Sequence, residues 1–134
     1  MYHNRICPAN LLVYSNLHLK VSNFKYAKFF GPNEFKNVIE SKKGDHVDFP
    51  DENSLHYIAP EYFEEQKDSP AMDFWALGCT IYRMLTGKKP FSEGVDRKDI
   101  TKVINNIRSG NLFWDDNIEI SEEAKDIIEK LMML

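Results

Sequence analysis

The hydrophobic positions fall into three patterns along the chain. Leu17, Leu19 and Val21 alternate with His18 and Lys20, and Leu11-Leu12-Val13-Tyr14 precedes them across Ser15-Asn16. A short apolar run, a polar break and a stretch with a period of two predict two strands joined as a β-hairpin. From residue 25 to about 56 no period is sustained, and Phe30-Gly31-Pro32-Asn33 and Lys42-Lys43-Gly44-Asp45 are turn signals, so this stretch reads as a long loop. Ser69-Pro70 offers an N-cap followed by proline at the first helical position, and Ala71 to Thr86 is apolar nearly all round until Gly87 and Pro90 stop it. A helix of that kind belongs at the centre of a core, buried on every side. Two amphipathic helices follow. Ile100, Val103, Ile104 and Ile107 form the first, ended by Ser109-Gly110; Ala124, Ile127, Ile128, Leu131 and Met132 form the second, with Ser121 as N-cap and Glu122 and Glu123 complementing the helix dipole. The predicted fold class is mainly α with a short β-hairpin.

The chain has 134 residues, 43% of them apolar, which is enough for one core and too apolar for a disordered tail. The net charge of −4 conceals an asymmetry: residues 1–50 hold seven Lys/Arg against four Asp/Glu, and residues 51–134 hold ten against seventeen. Neither half has the dense basic stripe that a phosphate backbone requires, so nucleic acid is not an expected partner. Cys7 and Cys79 form no CxxC and have no histidine at metal-ligand spacing, which predicts no disulfide framework, no metal site and a reducing compartment. His18, His46 and His56 read as ordinary strand and loop residues. Asp73 and Arg83 interrupt the longest apolar run, and the first residues have no apolar signal-peptide core. The expectation is a soluble protein of the cytoplasm or another reducing intracellular compartment, with no membrane partner.

Four segments occur in a particular order and spacing. His3-Asn4-Arg5-Ile6-Cys7-Pro8-Ala9-Asn10 is followed thirteen positions after Asn10 by Asn23-Phe24-Lys25, and Tyr57-Ile58-Ala59-Pro60-Glu61 is followed twelve positions after Glu61 by Asp73-Phe74-Trp75-Ala76-Leu77-Gly78. In this register the chain resembles the C-terminal lobe of a eukaryotic protein kinase, with its H-R-D-L-K-P-x-N loop, D-F-G, A-P-E and D-x-W-x-x-G segments. The resemblance is to the serine/threonine type, and Asp73 to Phe91 is most similar to the AGC group and its phosphoinositide-dependent branch. The resemblance implies a partial kinase domain over residues 1–134, running from the catalytic loop to the helix after the G-helix. The N-lobe would be absent, and both ends of the α+β kinase fold would be truncated.

The same resemblance implies a damaged catalytic site. The family's catalytic Asp is Arg5, which cannot accept a proton; its Lys two positions later is Cys7; the magnesium-binding Asp of D-F-G is Asn23, and the Gly is Lys25. Relative to the family the local charge moves by +3 (+2, −1, +1 and +1 at these four positions). Asn10 keeps the identity of the second magnesium ligand, and Leu12 and Met84 match positions below the adenine. ATP and magnesium are the family's cofactors, but neutral amides alone make a poor magnesium site, so no cofactor is expected, and any residual ligand would be a metal-free anion held by Arg5 and Lys25. Cys7 reads either as a thiol activated by those cations or as a plain substitution. Asn4 replaces the Arg that pairs with an activation-loop phosphate, Pro50 falls at the usual phosphosite, and Ser54 takes the place of a substrate-positioning Thr.

Scaffold positions are retained. His3 and Phe24 match the regulatory spine. Asp73 matches the carboxylate that holds the catalytic-loop backbone, and Glu61 matches the A-P-E carboxylate, whose Arg partner would lie beyond Leu134. The apolar flank of the central helix and the hairpin residues Leu11, Leu12 and Leu19 would then be covered by a protein partner or an oligomer. The leading expectation is a truncated, catalytically inactive pseudokinase that acts by protein binding. Its alternatives are a fragment of an active ATP-dependent serine/threonine kinase and a decaying product without a stable fold.

Overall fold

The structure is a computed structural model, and it describes residues 1–29, 54–65, 69–96 and 99–133. It is helix-rich, with one two-stranded antiparallel sheet. Strands β1 (Leu11–Val13) and β2 (Leu19–Val21) pair in the register Leu11–Val21, Leu12–Lys20 and Val13–Leu19. Helices α1 (Pro60–Glu65), α2 (Ala71–Thr86), α3 (Ile100–Ser109) and α4 (Glu122–Leu131) follow. Single 3-10 turns occupy Pro8–Asn10, Phe24–Tyr26 and Leu55–Tyr57.

The hairpin departs from the expected Ser15-Asn16 connection. Tyr14 N–H donates to His18 O at 3.0 Å, Leu17 N–H donates to Tyr14 O at 2.9 Å, and Leu17 adopts φ 62°. Leu17 therefore belongs to the turn and is 85% exposed. Helix α1 was not expected from periodicity; six residues are too few to display one. Of the long-loop expectation, only the ends, up to Phe29 and from Ser54, lie within the described residues; Pro50, His46 and the Lys42-Lys43 pair lie outside them.

Helix α2 spans the predicted residues, but its N-cap position is Pro70 and no side chain caps it. Ser69 contributes its carbonyl instead, accepting Met72 N–H at 3.2 Å. At the other end Gly87 takes φ 69° and donates its N–H to Arg83 O, the left-handed cap that glycine permits without a Cβ penalty. The expectation of burial on every side is corrected. Met72, Trp75, Ala76, Cys79 and Tyr82 are buried, whereas Phe74 and Met84 on the opposite flank are 60% and 62% exposed.

Around the buried flank Trp75 stacks on Phe91 with ring centroids 5.7 Å apart and planes 10° from parallel. Ile107 of α3, Ile128 of α4 and Leu55 complete the core. Helix α4 crosses α2 at Gly78, where an added Cβ would lie 2.6 Å from Met132 Cγ. Buried His56 bonds Pro90 O through Nδ1 at 2.9 Å, tying the 3-10 turn to the segment after α2. Among the described residues no helix is long and apolar enough to cross a membrane.

Candidate functional site

The site is built where the first turn of α2 meets residues 3–10. A carboxylate in so apolar a helix requires donors, and Asp73 finds two in the backbone: it accepts His3 N–H at 2.6 Å and Asn4 N–H at 2.8 Å. Asn4 has φ 64°, a conformation that asparagine tolerates better than most residues, and its side-chain amide donates to Tyr26 O at 3.1 Å. His3 is buried and uses both ring nitrogens. Nδ1 accepts Arg5 N–H at 3.2 Å, so the ring proton sits on Nε2, which donates to Ser22 O at 2.9 Å. Its ring meets Phe24 edge-on at 5.0 Å.

Asn10 closes the loop. Its Nδ2 donates to Arg5 O at 2.7 Å, and its Oδ1 accepts Asn23 Nδ2–H at 3.1 Å. Its backbone carbonyl accepts both the N–H and the hydroxyl of Ser22, at 2.8 and 3.0 Å. A reciprocal pair between Tyr2 and Lys28, at 2.9 and 3.0 Å, joins the start of the loop to the segment after Phe24. His3, Asn4, Arg5, Asn10, Asn23, Phe24 and Asp73 are thus brought into one bonded unit.

Arg5 is only 9% exposed. Its guanidinium carbon lies 4.7 Å from the centroid of the Tyr26 ring. Lys25 Nζ lies 4.9 Å from the same centroid and 3.2 Å from Tyr26 Oη. The two cations expected to hold a free anion therefore engage one aromatic ring, and the Arg5 head group is turned into the protein. A crevice of about 10 Å³, room for a single water, lies between Asn4–Cys7 and Ser54–Ile58.

The remaining residues singled out in the sequence stand apart from this unit. Cys7 is buried in the apolar core, which fits a plain substitution better than an accessible thiol. Leu12 and Met84 are exposed. Glu61 is half-buried in the first turn of α1 and makes no ion pair among the described residues. Burial pushes the Cys79 thiol well above its ordinary range, and the Tyr57 hydroxyl is pushed up to about 12 by burial, which outweighs the opposing pull of Arg83. Sequence reasoning missed Tyr26, whose one signal was an aromatic residue immediately after an introduced cation.

The edge-on His3–Phe24 contact, the carboxylate-held loop and the ordered segments point to one class. The family described as "Protein kinase domain" matches residues 1–134, and the chain belongs to that family. Its relatives are serine/threonine kinases. It is 30% identical over 132 residues to the 3-phosphoinositide-dependent protein kinase 1 of Homo sapiens, covering 98% of this chain and 21% of that protein. It is 29% identical over 133 residues to the Arabidopsis thaliana protein of the same name (98% and 26%). It is 28% identical over 138 residues to serine/threonine-protein kinase ksg1 of Schizosaccharomyces pombe (98% and 22%). The chain spans about a fifth to a quarter of the length of these relatives.

Proposed function

We propose that this chain is a catalytically inactive, pseudokinase-type module of the serine/threonine kinase family that acts by binding another protein. The observation that carries this reading is Arg5, which stands where the family has its proton acceptor and is buried against the Tyr26 ring. A guanidinium is permanently cationic and accepts no proton from a substrate hydroxyl. The residues at the metal positions do not fit magnesium and its nucleotide. Asn10 Oδ1 is engaged by the Asn23 amide, and magnesium at a nucleotide is usually held through one or two carboxylates, which neither Asn10 nor Asn23 supplies. The unpaired thiols Cys7 and Cys79 support placement in a reducing compartment.

A phosphoryl-transfer assay with labelled ATP and a generic protein substrate, run beside a thermal melt with nucleotide in the presence and absence of Mg²⁺, tests this. The expected results are no incorporation and no metal-dependent shift. Incorporation above background, abolished by Asn23→Ala, would replace this reading with that of an active serine/threonine kinase of which this is a part.

A further inference from the structure

Residues 1–33 contain Arg5, Lys20, Lys25 and Lys28 and no Asp or Glu, in a chain of net charge −4. The hairpin lies within this acid-free stretch. Ser22 N–H bonds Asn10 O, Leu12 pairs with Lys20, and Tyr14 N–H bonds His18 O, so alternate residues turn their backbone groups inward. Leu19 and Val21 then direct two N–H and two C=O groups away from β1. Among the described residues none of these four takes a hydrogen bond. All of β2 is exposed, with Leu19 at 53% and Val21 at 43%.

The two faces differ in chemistry. Leu11, Val13, Leu19 and Val21 share one face, and Leu12, Tyr14, His18 and Lys20 share the other, where Lys20 Nζ stands 4.4 Å over the Tyr14 ring. We propose that the outer edge of β2 takes up an extended segment of another protein in which carboxylate and aliphatic side chains alternate. An added strand meets Lys20 on one face, where a carboxylate is favoured, and Leu19 and Val21 on the other, where an aliphatic side chain is favoured. A second copy is the poorer occupant, because pairing β2 with itself sets Lys20 near Lys20. The same lysine thus rejects self-pairing and selects an acidic strand. This inference rests on the reading of the chain as a binding module and adds the chemistry of the partner.

Fluorescence anisotropy of the full chain with a labelled alternating Glu–Val heptapeptide, against a Lys–Val control, tests it. Saturable binding is expected, at least about tenfold tighter than the control, a difference of about 1.4 kcal/mol, and weakened by salt. Val21→Pro removes one outward N–H at an edge position that tolerates proline, and should abolish binding with the melt unchanged. Lys20→Glu should reverse the preference between the two peptides and serves as the second variant if Val21→Pro does not fold. Equal binding of both peptides, no saturable binding, or binding that survives Val21→Pro in a folded chain would overturn the proposal. So would concentration-dependent self-association lost in Val21→Pro, which assigns the edge to a second copy. Phosphoryl transfer by the chain removes the inactive reading and leaves the edge to be judged by the peptide; a folded, transfer-inactive chain that ignores the peptide removes the edge alone.

Discussion

Arg5 and Tyr26 should be energetically coupled by more than their separate burial. An arginine over an aromatic face contributes about 0.5–1 kcal/mol at an exposed site and about 2 kcal/mol when desolvated. At 9% exposure and 4.7 Å from the centroid, Arg5 belongs near the upper figure, and exposed Lys25, at 4.9 Å, near the lower. The perturbations are Arg5→Met, which keeps a stem of similar length and removes the charge, Tyr26→Leu, which removes the ring, and the two together. Each single variant also removes other contacts of its residue, and the double-mutant cycle cancels these.

Urea denaturation of the four proteins, analysed by linear extrapolation with a common slope, should give a coupling of about 1–2 kcal/mol. Raising the ionic strength from about 0.1 M to about 1 M should change the coupling little, since a buried pair is poorly screened. A coupling below about 0.5 kcal/mol, within ordinary additivity, would refute the assignment of Tyr26 as the group that holds Arg5. Arg5→Asp should be worse than Arg5→Met, because a carboxylate costs more to desolvate at a buried position than a thioether.

Other groups give sharper local tests. Asp73→Asn sets an NH₂ against a backbone N–H at His3 or Asn4, and should cost about 1–3 kcal/mol, seen as faster hydrogen exchange of those two amides. Gly78→Ala gains about 1 kcal/mol of helix propensity but forces a Cβ to 2.6 Å from Met132 Cγ and 3.2 Å from Leu131 Cβ; overpacking of about 1–3 kcal/mol should leave a lower melting temperature, partly restored by adding Met132→Ala. Tyr57 stays protonated in the fold to about 12 against an ordinary 10.0, so the unfolded chain loses this proton first. Stability should therefore fall as pH rises from about 10 to 12, and Tyr57→Phe should flatten that decline.

Long periodic segments were legible and short or long-range features were not. The spacing of Ile100 to Ile107 and of Ala124 to Met132 matches α3 and α4, and Ser121 caps α4 by accepting Ala124 N–H at 3.3 Å. The start of α2 was misread because Ser69-Pro70 satisfies the composition rule for a cap while only the Ser69 carbonyl takes part. Leu17 was misread as strand because the alternation of Leu17, Leu19 and Val21 continues through a turn, and only the bond from Leu17 N–H to Tyr14 O marks the boundary. Asp73 could be singled out as a carboxylate in need of donors, but those donors lie 69 and 70 positions away, so that only the kinase resemblance, and no local pattern, placed them on the backbone of the loop. The Tyr26–Arg5 contact is tertiary geometry, which periodicity does not encode.

The bonds that hold the site run through the main chain of the loop at residue 5. Asp73 holds the backbone N–H groups of His3 and Asn4; His3 accepts the backbone N–H of Arg5 and donates to the carbonyl of Ser22; Asn10 donates to the carbonyl of Arg5. None of these bonds uses the side chain of residue 5. A loop anchored through its main chain keeps its path whether that side chain is a proton acceptor or a guanidinium, provided the new group finds a place for its charge, and the face of Tyr26 supplies one. Asn23 follows the same logic, since an amide can donate to Asn10 Oδ1, which an ionised carboxylate, having no proton, cannot do. The bond to Asn10 Oδ1 therefore needs a donor at position 23, and the Asn23 amide supplies it.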